Sequence, residues 1–283
     1  MSERRTPKAR ERVLVVIPAR LNSTRLPRKL LLDRTGWPLL RHTWTQVTRA
    51  TRPDGVLVAT DSEEIVEAVR AFGGDAMMTA AAHKSGTDRV AEVARARPEF
   101  GVIVNVQGDE PEIDPAAVDL LVELMHEPDE PRITTLATWL GEGHADPNKV
   151  KVVCARNGDA LYFSRAPIPY FRDQREGLAP PLRHTARRKR ASRSPNPRVP
   201  EMPGPYLHVG TYAYRRRTLI RLAAMELSPL EQAERLEQLR ALEAGLPIRV
   251  GLLRDHQPGI DTQADYDAFV ERQKLEAAET RHE

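Results

Sequence analysis

Apolar residues along this chain form short continuous runs, separated by stretches with helical spacing. Val13-Leu14-Val15-Val16-Ile17 is apolar throughout and β-branched at four of its five positions. Such a run predicts a strand covered on both faces, as in a parallel α/β sheet. Trp37, Leu40, Trp44 and Val47 then recur at helical spacing. Val56-Leu57-Val58-Ala59-Thr60 is a second strand. Asp61 and Ser62 offer N-caps to a helix carrying Ile65, Val66, Val69 and Phe72. Val102 to Val106 is a third strand, followed by Asp114 as N-cap and Pro115 at the first helical position. Alternation of this kind predicts a doubly wound, mostly parallel sheet in the first half.

The second half changes character. Ile133–Trp139, Lys151–Cys154, Ala160–Phe163 and Tyr206–Tyr214 read as strands. Ser228-Pro229-Leu230-Glu231 is a capping box, so a helix is expected from there to about Ala244, ending at Gly245. Ile248–Leu253 is a last strand, and Asp261-Thr262 opens the C-terminal helix. No internal repeat is found.

Composition narrows the function classes. The 283 residues carry one cysteine, Cys154, which excludes an intrachain disulfide framework and a multi-cysteine metal site. No apolar run reaches membrane-spanning length, and residues 1–12 lack the apolar core of a secretory signal. A cytoplasmic protein is expected. The net charge of +3 hides an asymmetry: Arg175 to Pro203 holds eight Lys or Arg against two Glu, so the remainder is acidic by three. Six prolines and few large apolar residues there predict a mobile loop. Arg187-Arg188-Lys189-Arg190 is the pattern of a phosphate or nucleic-acid contact, but no aromatic residues are interleaved as stacking platforms. The reading adopted is a solvated insertion, with neither nucleic acid nor membrane as partner.

Two segments follow predicted strands, where α/β sheets bind ligands. The first, Pro18 to Lys29, has no glycine and is not a Walker loop. It offers Arg20, Arg25, Arg28 and Lys29 with the hydroxyls of Ser23 and Thr24, a donor set suited to a triphosphate. The second, Asn105-Val106-Gln107-Gly108-Asp109-Glu110-Pro111, turns at Gly108 and presents Asp109, a hard oxygen ligand able to hold Mg²⁺ against phosphates. By itself Asp261, before Thr262, reads as an ordinary helix cap. Arg89 lies in the first turn of the helix that Ser85 or Thr87 caps; there a cation wants a carboxylate or anion nearby, unless it turns to solvent. His208 alternates in phase with Tyr212 and Tyr214. Cys154 has no histidine or cation beside it in sequence and reads as a small buried hydrophobe.

Taken in order, the motifs are Ile17-Pro18-Ala19-Arg20, Ser23-Thr24-Arg25-Leu26-Pro27-x-Lys29, Ala59-Thr60-Asp61 and His83-x-Ser85-Gly86-Thr87-x-Arg89. Val104 to Pro111, Ala160-Leu161-Tyr162-Phe163-Ser164-Arg165-Ala166, Leu236-Glu237-Gln238-Leu239-Arg240 and Ile260-Asp261-Thr262 follow. This series closely resembles the CMP-Kdo synthetases, or 3-deoxy-manno-octulosonate cytidylyltransferases, from about Val13 to Gln273. The resemblance implies a Rossmann-like nucleotidyltransferase fold and a homodimer that joins CTP to Kdo with Mg²⁺ for lipopolysaccharide synthesis. By position it implies a nucleotide side of Ala19, Arg20, Ser23, Arg25, Lys29, Ser85 and Arg89. It implies metal ligands Asp109 and Asp261, which replaces the capping reading of Asp261. Arg20, Lys29, Asp109 and Asp261 form the implied catalytic set, and Gln107, Arg165, His208, Tyr212, Glu237 and Gln238 the sugar-acid pocket.

The expected organisation is a disordered basic tail (1–12), a nucleotidyltransferase domain (13–274) and a C-terminal tail (275–283). Inside the domain, 132–215 is an inserted β-rich subdomain for dimerisation and sugar binding, and it contains the mobile loop 175–203. Three departures stand out, one of them the basic insertion that falls between Arg165 and His208. Arg28 replaces the glycine usual before the lysine, and Leu207 replaces an arginine before His208. The alternatives are a cytidylyltransferase for another acidic sugar, such as an amino-Kdo or a nonulosonate, and a catalytically silent nucleotide- or RNA-binding relative.

Overall fold

The structure, a computed structural model, describes residues 10–21, 23, 25–83, 85–172 and 205–279. The expected basic loop at 175–203, most of the tail at 1–12, and Thr24 lie outside the described residues.

In chain order the elements are β1 (Val13–Ala19), a 3-10 turn (Lys29–Leu31), α1 (Leu39–Thr48), β2 (Gly55–Thr60), α2 (Glu63–Ala71) and β3 (Asp75–Met78). Then come α3 (Gly86–Ala96), β4 (Val102–Asn105), α4 (Pro115–Met125), β5 (Ile133–Trp139), β6 (Lys151–Cys154) and β7 (Ala160–Ser164). The remainder is β8 (Tyr206–Arg215), α5 (Arg216–Ala223), α6 (Pro229–Glu234), α7 (Gln238–Glu243), β9 (Arg249–Leu253) and α8 (Gln263–Glu279).

The chain divides into two compact units. The first comprises residues up to 123, 211–224 and 257 onward. At its centre every residue of β1 is buried. Burying each of these Val, Leu and Ile side chains contributes about 2 kcal/mol, so β1 anchors the sheet. It pairs in parallel with β2 (Val15↔Val56) on one side and β4 (Val15↔Val104) on the other. β3 extends the sheet beyond β2, and the second half of β8 runs antiparallel to β4. α3 packs on β1, β2 and α5. Because β2 and β4 flank β1, the strand order reverses at β1, and the carboxyl ends of β1 and β4 border the crevice where such sheets take ligands.

The second unit comprises 124–210 and 225–256. In it β5 and β9 pair in parallel, β6 and β7 form an antiparallel pair, and β6 also pairs with the start of β8. This unit is larger than the insertion expected at 132–215. The 225–256 segment joins it because β9 hydrogen-bonds to β5 and α7 packs on β7.

Three other local expectations are corrected. The helix expected from Ser228 to Ala244 is two helices, broken at Arg235, which adopts a left-handed conformation (φ 53°). Trp37 precedes α1 rather than lying in it, and is 40% exposed with the Arg41 guanidinium over its ring. The C-terminal helix continues to Glu279, past the expected domain end at 274. Among the described residues no helix is long and apolar enough to cross a membrane.

Candidate active site

Ala19 closes β1, so the basic segment leaves the sheet at its carboxyl edge. Arg20 reaches across to the loop before α3, where its guanidinium donates to the carbonyl of His83 at 3.2 Å. That loop is held in turn by Glu92, which accepts from the amide of Ala80 and pairs with the His83 ring. Ser23 accepts a long bond from the amide of Leu26. Lys29 opens the 3-10 turn and its side chain is only 10% exposed.

The second loop is pinned from below. Thr43 of α1 donates to the carbonyl of Gly108 at 2.9 Å. A Cβ at Gly108 would stand 3.2 Å from the carbonyl oxygen of Pro18 and 3.3 Å from Leu30, a tight fit that favours glycine where this loop passes β1. Asp109 therefore faces Lys29, with Nζ 2.5 Å from its Oδ2. The backbone of Asp109 is also tied to the loop before α8, because the amide of Ile260 donates to its carbonyl at 2.8 Å.

That tie brings Asp261 to the same place. Its Oδ1 lies 3.3 Å from Lys29 Nζ and 2.9 Å from Arg25 Nη2. Asp261 does not cap α8. Thr262 does, its hydroxyl accepting from the amide of Asp265, and Asp265 completes the capping box by accepting from the amides of Asp261 and Thr262 and from the Thr262 hydroxyl. Burial raises the Asp265 carboxyl, but these hydrogen bonds outweigh it and hold the group below the usual range. The Asp261 carboxylate is left facing cations.

Glu110, next in sequence to Asp109, is a different kind of carboxyl. It is buried, accepts from the Thr211 hydroxyl, and is pushed up to about 8 by burial and the charge of Asp109. The carboxylates at the cationic site are Asp109 and Asp261.

α3 begins with a capping box between Ser85 and Asp88. A Cβ at Gly86 would meet Pro18 at 3.5 Å and Gln107 Oε1 at 3.9 Å, so the start of α3 lies beside both loops. Arg89 is placed otherwise than a nucleotide-binding role requires. It is 0% exposed and donates to Asp61 Oδ2 at 3.0 Å and to Thr79 Oγ1. It clamps the ends of β2 and β3 together and has no surface to offer a ligand. The carboxylate that its place in the first turn demands is Asp61, and Ser62 stands at the N-cap of α2.

Arg28 adopts φ 55°, the left-handed region that favours glycine. This is the physical reason a glycine suits that position. Its guanidinium pairs with Glu64 instead of adding to the Lys29 cluster.

The expected sugar-acid residues divide between the units. Gln107 and Tyr212 belong to the first, and Tyr212 stacks on Tyr214 at 5.6 Å between ring centroids. Arg165, His208, Glu237 and Gln238 belong to the second. His208 shares a 3.2 Å hydrogen bond with Thr135 Oγ1 and packs edge-on against Phe163. Burial, with a smaller contribution from His256, pushes its imidazole down to about 3, so it is neutral at physiological pH. Glu237 precedes α7 as its N-cap, and the buried Nε2 of Gln238 has no hydrogen-bond partner among the described residues. Cys154 is half-buried, and burial together with the nearby Asp159 charge pushes its thiol up to about 12. It is no nucleophile.

A sheet-edge crevice, a cationic loop at the end of β1 and two carboxylates on a shared lysine make an arrangement with the chemistry to bind phosphates. A family model described as cytidylyltransferase matches residues 14–249, which sets the class. The 3-deoxy-manno-octulosonate cytidylyltransferase of Geobacter metallireducens is 44% identical over 263 residues, covering 92% of this chain and 97% of that protein. The protein of the same name in Myxococcus xanthus is 41% identical over 256 residues, covering 90% and 94%. A solved structure of CMP:2-keto-3-deoxy-manno-octonic acid synthetase complexed with CTP matches with a TM-score of 0.79 at 38% identity, covering 95% of this chain and 99% of that one. The chain belongs to the 3-deoxy-manno-octulosonate cytidylyltransferase family.

Proposed function

We propose that this chain transfers CMP from CTP to the anomeric hydroxyl of Kdo, giving CMP-Kdo and pyrophosphate for lipopolysaccharide synthesis, as a cytoplasmic homodimer using Mg²⁺. One observation carries the site assignment: Asp109 and Asp261, from separate loops, meet at the ammonium of Lys29 beside the carboxyl end of β1. The relatives' names and the CTP in the solved structure supply the substrates.

The donor set fits Mg²⁺. Among the described residues no group of three His, Cys, Asp or Glu side chains gathers as a metal cage. Mg²⁺ needs only one or two carboxylates beside substrate phosphates and water, and Asp109 with Asp261 provides two that already share one cation. Bound there, the ion would supply charge neutralisation at the phosphates and orientation of the reacting oxygens.

The protein's own part is positioning and electrostatics. The anomeric oxygen bonds to the α-phosphorus of CTP, the bond from that phosphorus to the β-bridging oxygen breaks, and the hydroxyl proton is lost to water. Lys29 and Arg20 stabilise the pyrophosphate as its charge grows. Arg25, tethered to Asp261 at 2.9 Å, adds a further cation to this cluster. Arg165 takes the sugar carboxylate, since a guanidinium fork matches it in two parallel bonds. The neutral His208 ring suits a sugar hydroxyl, because an imidazole can donate or accept there without carrying charge.

The test is pyrophosphate release from CTP and Mg²⁺ with Kdo, its amino analogue and a sialic acid offered in parallel. Release with Kdo is expected. Release only with another acid would keep the chemistry and move the specificity. Silence with all three would overturn the reading.

A further inference from the structure

Arg165 follows β7 in the second unit, and its surroundings are unusual for a partly buried arginine. Among the described residues its guanidinium makes no ion pair with a carboxylate. Two neutral carbonyls hold it: Nε donates to Glu234 O at 2.8 Å, and Nη1 donates to Pro147 O at 2.9 Å. Nη2 is left without a described partner. Carbonyls fix the plane of the fork, and among the described residues no carboxylate pairs with its charge, which is what an arginine awaiting an external carboxylate requires.

The backbone of Arg165 is gripped from both sides. Its amide donates to Glu234 Oε2 at 2.9 Å, and its carbonyl accepts from Lys151 Nζ at 2.5 Å. The other oxygen of Glu234 accepts from the Ser164 hydroxyl at 2.5 Å, and burial together with this nearby carboxylate raises the Tyr162 hydroxyl above its usual pKa. Thus the Glu234 charge is turned toward the strand end and not toward the guanidinium. Lys151 is 0% exposed and its second partner is the carbonyl of Asp146 at 2.9 Å. Burying an ammonium is costly, and here burial holds its pKa below the usual lysine range. The lysine ties the 146–147 turn, which supplies one guanidinium anchor, to the residue that carries the guanidinium.

We propose that Glu234 and Lys151 are positioning residues for Arg165, fixing its fork to receive the carboxylate of the acidic sugar. The inference rests on the transfer reaction proposed above and adds two residues that the motif series does not contain as sugar contacts. Neither touches substrate; both act through Arg165.

The experiment measures pyrophosphate release by the full chain with Mg²⁺, varying CTP and Kdo separately. Glu234→Gln keeps the shape and removes the charge. The KM for Kdo should rise about tenfold, while the KM for CTP stays within about twofold and kcat at saturating Kdo is retained. Ser164→Ala removes one bond to Glu234 and one from the Ala166 amide, leaves the Glu234 charge in place, and should move the same KM in the same direction by less. Added to Arg165→Lys, Glu234→Gln should produce little further loss, because the two act as one unit. An unchanged KM for Kdo, equal rises for both substrates, or full additivity with Arg165→Lys would overturn the assignment. Failure of the underlying reading looks different: the unmodified chain would release no pyrophosphate with Kdo. If another sugar acid supports turnover, the same split is read with that acid; silence with every acid overturns both.

Discussion

The ammonium of Lys29 lies 2.5 Å from Asp109 and 3.3 Å from Asp261, so one buried cation joins two loops that are remote in sequence. Two carboxylates this close would repel each other without it. The arrangement marks a place where positive charge is required between them. Asp109→Ala should cut turnover by about 1,000-fold, since the residue is assigned to the charge-neutralising site. Lys29 keeps Asp261 as partner in that variant, so the thermal transition should shift by only a few degrees. A chelator should abolish wild-type turnover, and added Mg²⁺ should restore it. Near-normal rates in Asp109→Ala would remove the metal assignment.

The left-handed Arg28 makes a separate prediction about the loop. Its conformation costs about 1 kcal/mol relative to glycine. Arg28→Gly relieves that strain but loosens the unfolded chain by a comparable amount. The exposed Arg28–Glu64 pair is worth little. The unfolding midpoint should therefore hardly move. Since the guanidinium is engaged by Glu64, the KM for CTP should change by less than about twofold. A large rise in that KM would mean that Arg28 leaves Glu64 for the triphosphate.

Much of this was legible in the sequence, for identifiable reasons. β1, β2 and β4 are buried on both faces, and their unbroken Val, Leu and Ile runs announce it. The loops carrying Lys29 and Asp109 follow those strands directly, so strand and turn signals alone place them at the sheet edge. β3 was not legible: it is four residues long, partly exposed and lacks alternation. α5 was hidden by its arginines, although Leu219 and Leu222 are buried. Asp261 reads as a cap because Asp-Thr commonly opens a helix; only the three-dimensional contacts show Thr262 and Asp265 doing that work. Lys151 and Glu234 gave no sequence signal. A lysine opening an apolar strand reads as a strand end, and its burial arises from carbonyls contributed by the 146 turn and by Arg165.

Arg89 tests the distinction between holding a site and touching a ligand. Its guanidinium is inaccessible and bridges Asp61 and Thr79, and its Nε has no described partner. Arg89→Met removes a buried charge but strands the Asp61 carboxylate. The loss should be about 3 kcal/mol in urea unfolding. Turnover measured well below the new transition should fall modestly, with no selective rise in the KM for CTP. A selective rise with unchanged stability would show that Arg89 turns outward to the nucleotide.

His208 provides a pH test of the second unit. Its folded-state pKa is pushed down to about 3, against an ordinary value of 6.5. Between those values the unfolded chain binds a proton at this site and the folded chain does not. Stability is therefore fully present above about pH 6.5 and is lost progressively as the pH falls toward 3. From pH 7 to pH 5 this one group should remove about 2 kcal/mol. The His42 and His256 rings, also lowered by burial, add to the same slope. Comparing urea transitions of the wild type and His208→Gln across that range isolates the single contribution, since the other two histidines are present in both. The variant should be less stable at pH 7, where it gives up the Phe163 packing, yet should lose about 2 kcal/mol less on acidification. Parallel curves would mean that the ring titrates near 6.5 in the folded chain, and so that burial does not hold it neutral below that pH.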